Sequence, residues 1–255
     1  AQEVAQAVGE ALQRTRKSIE PRMVQEIENY SSSLADRIVQ RLQESEKKKE
    51  LKAFPPPDDL ILPEDMGKLT NLIKRFYVQV MEASWDTWNL ALGVELAFDL
   101  KDELVTEILK MAGDRVQDIT DTTKEQLREV LQYGSDEGWG VNELVAGDLD
   151  AGVPGIRDLV EESYKNRSRN IARSELGLAQ NTASINRYTD AGVKNVLVLD
   201  DGFERSDENC VWIAGQVRSL EWTKEDHSDE GPSGIKNPLQ HPGCVRCFAP
   251  YFGDE

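Results

Sequence analysis

The chain has 255 residues, 39% of them hydrophobic and 30% charged, with 47 acidic against 30 basic side chains and a formal net charge of −17. That length allows one large domain or two ordinary ones and a real core, and no apolar run approaches the roughly 20 residues that a membrane-spanning helix needs. The acidic balance excludes broad wrapping of nucleic acid, which relies on Lys and Arg replacing phosphate counterions; it suits equally an ordinary solubilised surface and a protein that shares a compartment with DNA without adhering to it. The opening stretch AQEVAQAVGE has neither the basic leader nor the apolar core of a signal peptide. It also lacks an initiator Met, which points to a processed or trimmed N-terminus. The expectation is a soluble chain, made in a cytoplasm, with no membrane partner.

In residues 1–53, Val4, Val8, Leu12, Val24, Ile27, Leu34, Ile38 and Leu42 recur at helical spacing. Pro21 predicts a break or kink. The apolar stripe is thin and the segment holds little to cover it, so the helix reads as a coil for a partner. Residues 54–63, FPPPDDLILP, read as a proline-rich hinge. A helical block spans 64–192. Trp85 and Trp88 share one face there and read as core. Ile119-Thr120-Asp121-Thr122-Thr123, with Glu125 and Gln126 following, has the form of a helix start. The Gly-rich stretch after Tyr133 ends that helix. Residues 157–190 form another, closed by Ala191-Gly192 as a glycine cap. From Val193 the period changes: Val196, Val198 and Leu199 read as a strand. Residues 193–255 form a small lobe of short strands and long loops. The fold class is therefore α+β, mostly α-helical with a small C-terminal α+β lobe.

Cys210, Cys244 and Cys247 are the only cysteines. An odd number in such a chain argues against a disulfide framework. With His241 they give the spacing C-x30-H-x2-C-x2-C. Four such ligands can form a structural zinc site. Pro242-Gly243 favours a tight turn that brings His241 and Cys244 to one side, and a metal clip would stabilise a lobe with a poor core. The alternative is three reduced cysteines packed as small apolar residues. A cysteine nucleophile with His241 as base is a third arrangement, without a recognisable orienting residue or oxyanion loop. The acidic group Asp200, Asp201, Glu204, Asp207 and Glu208 lacks the order of a calcium loop and reads as a solvated loop. Lys165, Arg167, Arg169 and Arg173 form a basic run beside Glu161, Glu162 and Glu175. Intrahelical pairs, Glu161 with Lys165 first, explain it better than phosphate contacts.

Taken in order, several of these elements resemble the phage Mu F-like minor head proteins. Arg169-Asn170-Ile171-Ala172-Arg173-Ser174-Glu175 is similar to the "IARTE" helix of that family. Asn181, Arg187-Tyr188 and Ala191-Gly192-Val193-Lys194 follow as they do there. Asp207 and Cys210, Gly215-Gln216-Val217 and a closing His241-Pro242-Gly243-Cys244 with Cys247 resemble its later elements. Ile119 to Leu127 is similar to the helix that precedes the motif. The likeness covers roughly 115–250 and does not extend to 1–114. The family often carries C-x-x-C where this chain has Cys210 and Ile213, and closes on C-x-C rather than C-x-x-C; His241 could replace the lost ligand. Some members are fused to a portal protein or carry toxin or enzyme domains, and the length after the motif here favours the plain structural form.

The resemblance implies a structural minor head protein, not an enzyme, in the virion interior or at the portal vertex and in the host cytoplasm during assembly. Its partners would be the portal protein and other head proteins, with incidental contact to packaged DNA and no specific nucleic-acid sequence. Its roles would be head morphogenesis and DNA ejection. The rival is a phage-encoded enzyme, a nuclease or an ADP-ribosylating toxin, on the same scaffold. A zinc-ribbon DNA-binding module is a third reading, and the net charge argues against it.

Overall fold

Helical periodicity governs most of the chain in the computed structural model, which describes residues 1–47, 54–148, 150–200 and 207–253. The helices are α1 (Gln2–Lys47), α2 (Pro57–Leu60), α3 (Pro63–Leu92), α4 (Glu103–Asp136), α5 (Val141–Ala146), α6 (Ile156–Asp190) and α7 (Glu208–Ile213). The strands are β1 (Gly147–Asp148), β2 (Val153–Pro154), β3 (Asn195–Leu199), β4 (Val217–Ser219) and β5 (Cys247–Tyr251), with a 3-10 turn at Glu221–Lys224. The fold is mostly α-helical with a small α+β lobe at the C-terminal end, as the sequence predicts. Among the described residues no helix is long and apolar enough to cross a membrane.

The described chain forms two compact units, one of Ala1–Met23, Ile73–Lys110 and Arg169–Glu255, the other of Val24–Leu72 and Met111–Ser168. The divisions fall inside α1, α3, α4 and α6 because these helices, 46, 30, 34 and 35 residues long, each supply side chains to both units. The linear reading 1–53, 54–63, 64–192 and 193–255 follows composition along the chain, whereas these units follow contacts. The coil expected for a partner is corrected. Leu12, Ile19, Met23, Ile27, Leu34, Ile38 and Leu42 are all buried within this one chain. Pro21 lies inside α1 without breaking it; a proline costs the helix one hydrogen bond, and the buried stripe on both sides of it offsets that loss.

In the second unit the expected hinge is pinned. Leu60 and Ile61 are buried, the Leu60 carbonyl accepts from Arg41 Nη1 at 2.6 Å, and Lys124 Nζ reaches Asp58 at 2.6 Å. Residues 54–63 are thus core-anchored chain rather than a joint. Asp65, near the start of α3, is fully buried. It receives Arg37 Nε at 2.6 Å and Arg41 Nη1 at 2.5 Å, and the Leu62 amide at 3.0 Å. Tyr30 meets Tyr164 edge to face at 5.7 Å. The helix start predicted at Ile119–Thr123 lies instead in the middle of α4. The Thr123 hydroxyl donates back to the Ile119 carbonyl and accepts from Arg167, so a residue type that favours caps is satisfied within the helix.

The short β1–β2 ladder pairs Gly147 with Pro154. Gly147 has φ +75°, and a Cβ there would fall 2.3 Å from the Gly155 amide nitrogen and 2.6 Å from the Val153 carbonyl. Backbone cannot move aside as a side-chain tip can. Gly147→Ala is expected to cost on the order of 2–3 kcal/mol, read as a lowered urea midpoint; an unchanged midpoint would contradict this packing.

In the first unit Trp85 and Trp88 are core, as expected. Trp88 Nε1 donates to Ser184 Oγ at 3.0 Å, and Tyr77 donates to the buried Glu175 at 2.5 Å. Gly192, at φ +69°, closes α6, and the Val193 amide returns to the Tyr188 carbonyl at 2.9 Å. The chain then enters β3, the centre of an antiparallel sheet ordered β4-β3-β5. Leu199 lies opposite Cys247 and Leu197 opposite Ala249. Those four residues pack with Ala5 of α1 in one apolar cluster.

Candidate metal centre

Cys210, His241 and Cys244 come together from two separate pieces of the lobe. Asp207 caps the N-terminus of α7: its Oδ1 accepts from the Cys210 amide at 2.8 Å. That fixes Cys210 in the first turn of α7, fully buried. His241-Pro242-Gly243-Cys244 forms the predicted tight turn, with Gly243 at φ +79° and the Cys244 amide donating to the His241 carbonyl at 3.0 Å. Proline then glycine at the two central positions is what a type II turn requires. The turn is tied to α6 by the Gly243 amide, which donates to Ser174 Oγ at 2.8 Å.

The result is a group of three potential ligand atoms all within 4.8 Å of one another, able to hold a metal ion. Cys210 Sγ stands 3.3 Å from His241 Nε2. His241 Nδ1 lies 3.0 Å from the Pro242 carbonyl, which can only accept, so Nδ1 carries the proton. In the neutral ring the Nε2 lone pair then faces the cysteines. Outer hydrogen bonds of this kind orient metal-bound imidazoles. Two sulfurs and one imidazole suit zinc and other borderline-soft ions. The thiols are electrostatically paired. A hydrogen bond from Cys210 to the Cys244 sulfur pushes the Cys210 pKa well up, and burial and the Asp200 charge add to that. The same bond draws Cys244 down, against burial and Asp200 and with help from Arg246.

Cys247, the fourth ligand suggested by the spacing, is not part of the group. It is the first residue of β5, and its thiol donates to the Gly9 carbonyl at 3.5 Å. The reason is strand alternation. Once the chain is extended, successive side chains take opposite faces, and three residues of separation put Cys247 on the face opposite to Cys244. That face belongs to Ala5, Leu197, Leu199 and Ala249. The residue that sequence reasoning missed is Asp200, set aside within the acidic loop. Its carboxylate oxygens lie 3.9 and 4.0 Å from Cys244 Sγ, and Arg246 Nε donates to Oδ2 at 3.0 Å. Both side chains are almost wholly buried. The available signal was position: Asp200 directly follows the apolar run Val196–Leu199, at the end of a central strand.

The rest of the expected acidic group is dispersed or lies outside the described residues, as Asp201 and Glu204 do. Asp207 is the α7 cap and Glu208 the first residue of α7. Two members of the basic run, Arg167 and Arg173, are used internally, with other partners than predicted, while Lys165 and Arg169 are exposed. Arg173 pairs with Glu20 at 2.9 Å. Arg167 donates to the Ser163 carbonyl and lies over Tyr164. Glu161 meets Arg157 at 3.5 Å. His227, the other histidine, stacks on Trp222 at 4.9 Å, away from the cysteines. No family model, curated protein or solved structure matches the chain.

Proposed function

We propose that the protein is a structural minor head protein of a tailed bacteriophage, acting by protein–protein contact with the portal protein and other head proteins in head morphogenesis and DNA ejection. The observation that carries this reading is the ordered set of motif residues from Ile119 to Cys247. In support, several of the later members are hydrogen-bonded into the C-terminal part of the chain. Asn181 donates to the Pro238 and Arg246 carbonyls at 3.2 and 2.9 Å. Tyr188 donates to the Phe248 carbonyl at 3.2 Å, and Ser174 receives the turn that carries His241 and Cys244. Gly215 and Gln216 bond across to Val198. A motif whose members hold a lobe together fits a structural part better than a reaction centre, where polar groups would face a substrate.

The metal we assign is zinc, held structurally by Cys210, His241 and Cys244; when bound it would supply a cross-link between α7 and the turn before β5. A metal contribution of this kind suits a lobe whose sheet strands have five, three and five residues. The acidic surface, at a net charge of −17, is compatible with incidental contact with packaged DNA and no specific nucleic-acid sequence. The location is the virion, in the capsid interior or at the portal vertex, after assembly in the host cytoplasm.

Purified particles of the source phage, examined by quantitative mass spectrometry, should contain the chain in few copies, and a cryo-EM reconstruction without imposed symmetry should place it at the portal vertex. Mature particles that lack it altogether would overturn the reading and favour a non-virion factor, an enzyme included.

A further inference from the structure

Beside the three ligand atoms that lie within 4.8 Å of one another, the carboxylate of Asp200, outside that set, approaches Cys244. Zinc–sulfur and zinc–oxygen or –nitrogen bonds of about 2.3 and 2.1 Å, at tetrahedral angles, set neighbouring ligand atoms about 3.6 Å apart. Cys210 Sγ to His241 Nε2 is 3.3 Å, and Cys244 Sγ to Asp200 Oδ1 is 4.0 Å. We propose that Asp200 is the fourth ligand of this centre, in the place the sequence spacing gives to Cys247, so that the ion sits in a shell of two cysteines, one histidine and one aspartate. The proposal rests on the metal reading of Cys210, His241 and Cys244.

Strand register explains why this residue, and not Cys247, faces the site. Leu199 pairs with Cys247, and the next step along both chains sets Asp200 beside Arg246. Alternation turns that pair to the face opposite to the apolar cluster. Arg246 then has a defined part. Its Nε holds Oδ2 of Asp200 at 3.0 Å, its Nη1 donates to the Lys236 carbonyl at 2.7 Å, and Oδ1 is left for the ion. Outer partners commonly orient a carboxylate ligand in this way. Charge supports the same shell. Two thiolates and a carboxylate, set against a buried guanidinium and a dication, come to neutrality. A buried charge without its partner is strongly destabilising.

The test uses the full chain loaded with Zn²⁺ for X-ray absorption and with Co²⁺ for optical spectra. Wild-type protein should show two sulfur and two lighter scatterers around zinc. Asp200→Cys should add a third sulfur and a stronger sulfur-to-cobalt charge-transfer band. Asp200→Asn should weaken Co²⁺ binding by at least about tenfold. Since Asp200 also neutralises Arg246, a measurement without substitution is included: in protein carrying ¹³C-carboxyl aspartate, zinc should shift one infrared carboxylate band. An unshifted band, or an Asp200→Cys site that still has two sulfurs, overturns the Asp200 assignment while leaving the three-ligand centre. Wild-type protein that takes up no Co²⁺ overturns both.

Discussion

Asp65→Ala is expected to destabilise the protein by about 3–5 kcal/mol, the usual cost of removing one partner from a buried ion pair. The carboxylate is fully buried, whereas the side chains of Arg37 and Arg41 retain 20% and 17% exposure. The arginines can recover part of their hydration, which places the effect towards the lower end of that range. The pH dependence gives a sharper check. Burial by itself would raise the Asp65 pKa, but hydrogen bonds from Arg41, the Leu62 amide and Arg37 outweigh it and hold the carboxyl below its ordinary value. A group whose pKa falls on folding contributes its stability in full above the unfolded value, about 3.9 for Asp. That contribution is lost as pH falls through the folded value. Urea titrations at descending pH should therefore show the gap between wild type and Asp65→Ala constant near neutrality and narrowing below about pH 4. A gap that stays the same down to pH 2 would mean that the arginines and Asp65 are not coupled as the geometry indicates.

The limits of what the sequence carries are physical. Helical spacing in 1–47, the change of period at Val193 and the glycine stop at Gly192 are readable because each is local. Which partner covers a stripe is not local. By its sequence the α1 stripe faces another chain, yet its neighbours include Tyr164 beside Tyr30 and the strands beside Ala5, residues more than a hundred positions away. Pro21 and Thr120–Thr123 mislead for the opposite reason. Their local preferences are real, and tertiary packing overrides them. At the metal centre the turn His241–Cys244 is legible because Pro242-Gly243 specifies it. The membership of Cys247 is not, because C-x-x-C is compatible with a tight turn and with a strand entrance. The apolar Phe248-Ala249 that follows is the feature that favours the strand. Asp200 escapes a linear reading because its value depends on Arg246, which only the register of β3 and β5 brings beside it.

That distinction between two cysteines gives the largest contrast expected of this chain. Cys244→Ser should abolish zinc uptake and, with it, the ordered state of the lobe. Cys247→Ala should keep roughly one zinc per chain and lose only packing, about 1–2 kcal/mol for a small buried side chain. Binding that occurs only in the folded state stabilises by mass action, about 4 kcal/mol when free metal exceeds its dissociation constant a thousandfold. Removal of metal by a chelator should therefore be felt first where the ligands are anchored. Hydrogen exchange should quicken in α7, in β3 and β5 and in the turn at 241–244, while residues 24–47 and 111–136 keep their protection, because their core of Ile27, Leu34, Val116 and Leu127 is buried without any ligand residue. Elemental analysis and exchange on the same samples read both parts of the effect. Equal loss of zinc in the two variants would return Cys247 to the ligand shell and contradict the strand alternation. Metal-free protein with undiminished protection around Cys210 and Cys244 would leave the cysteines as packing residues alone.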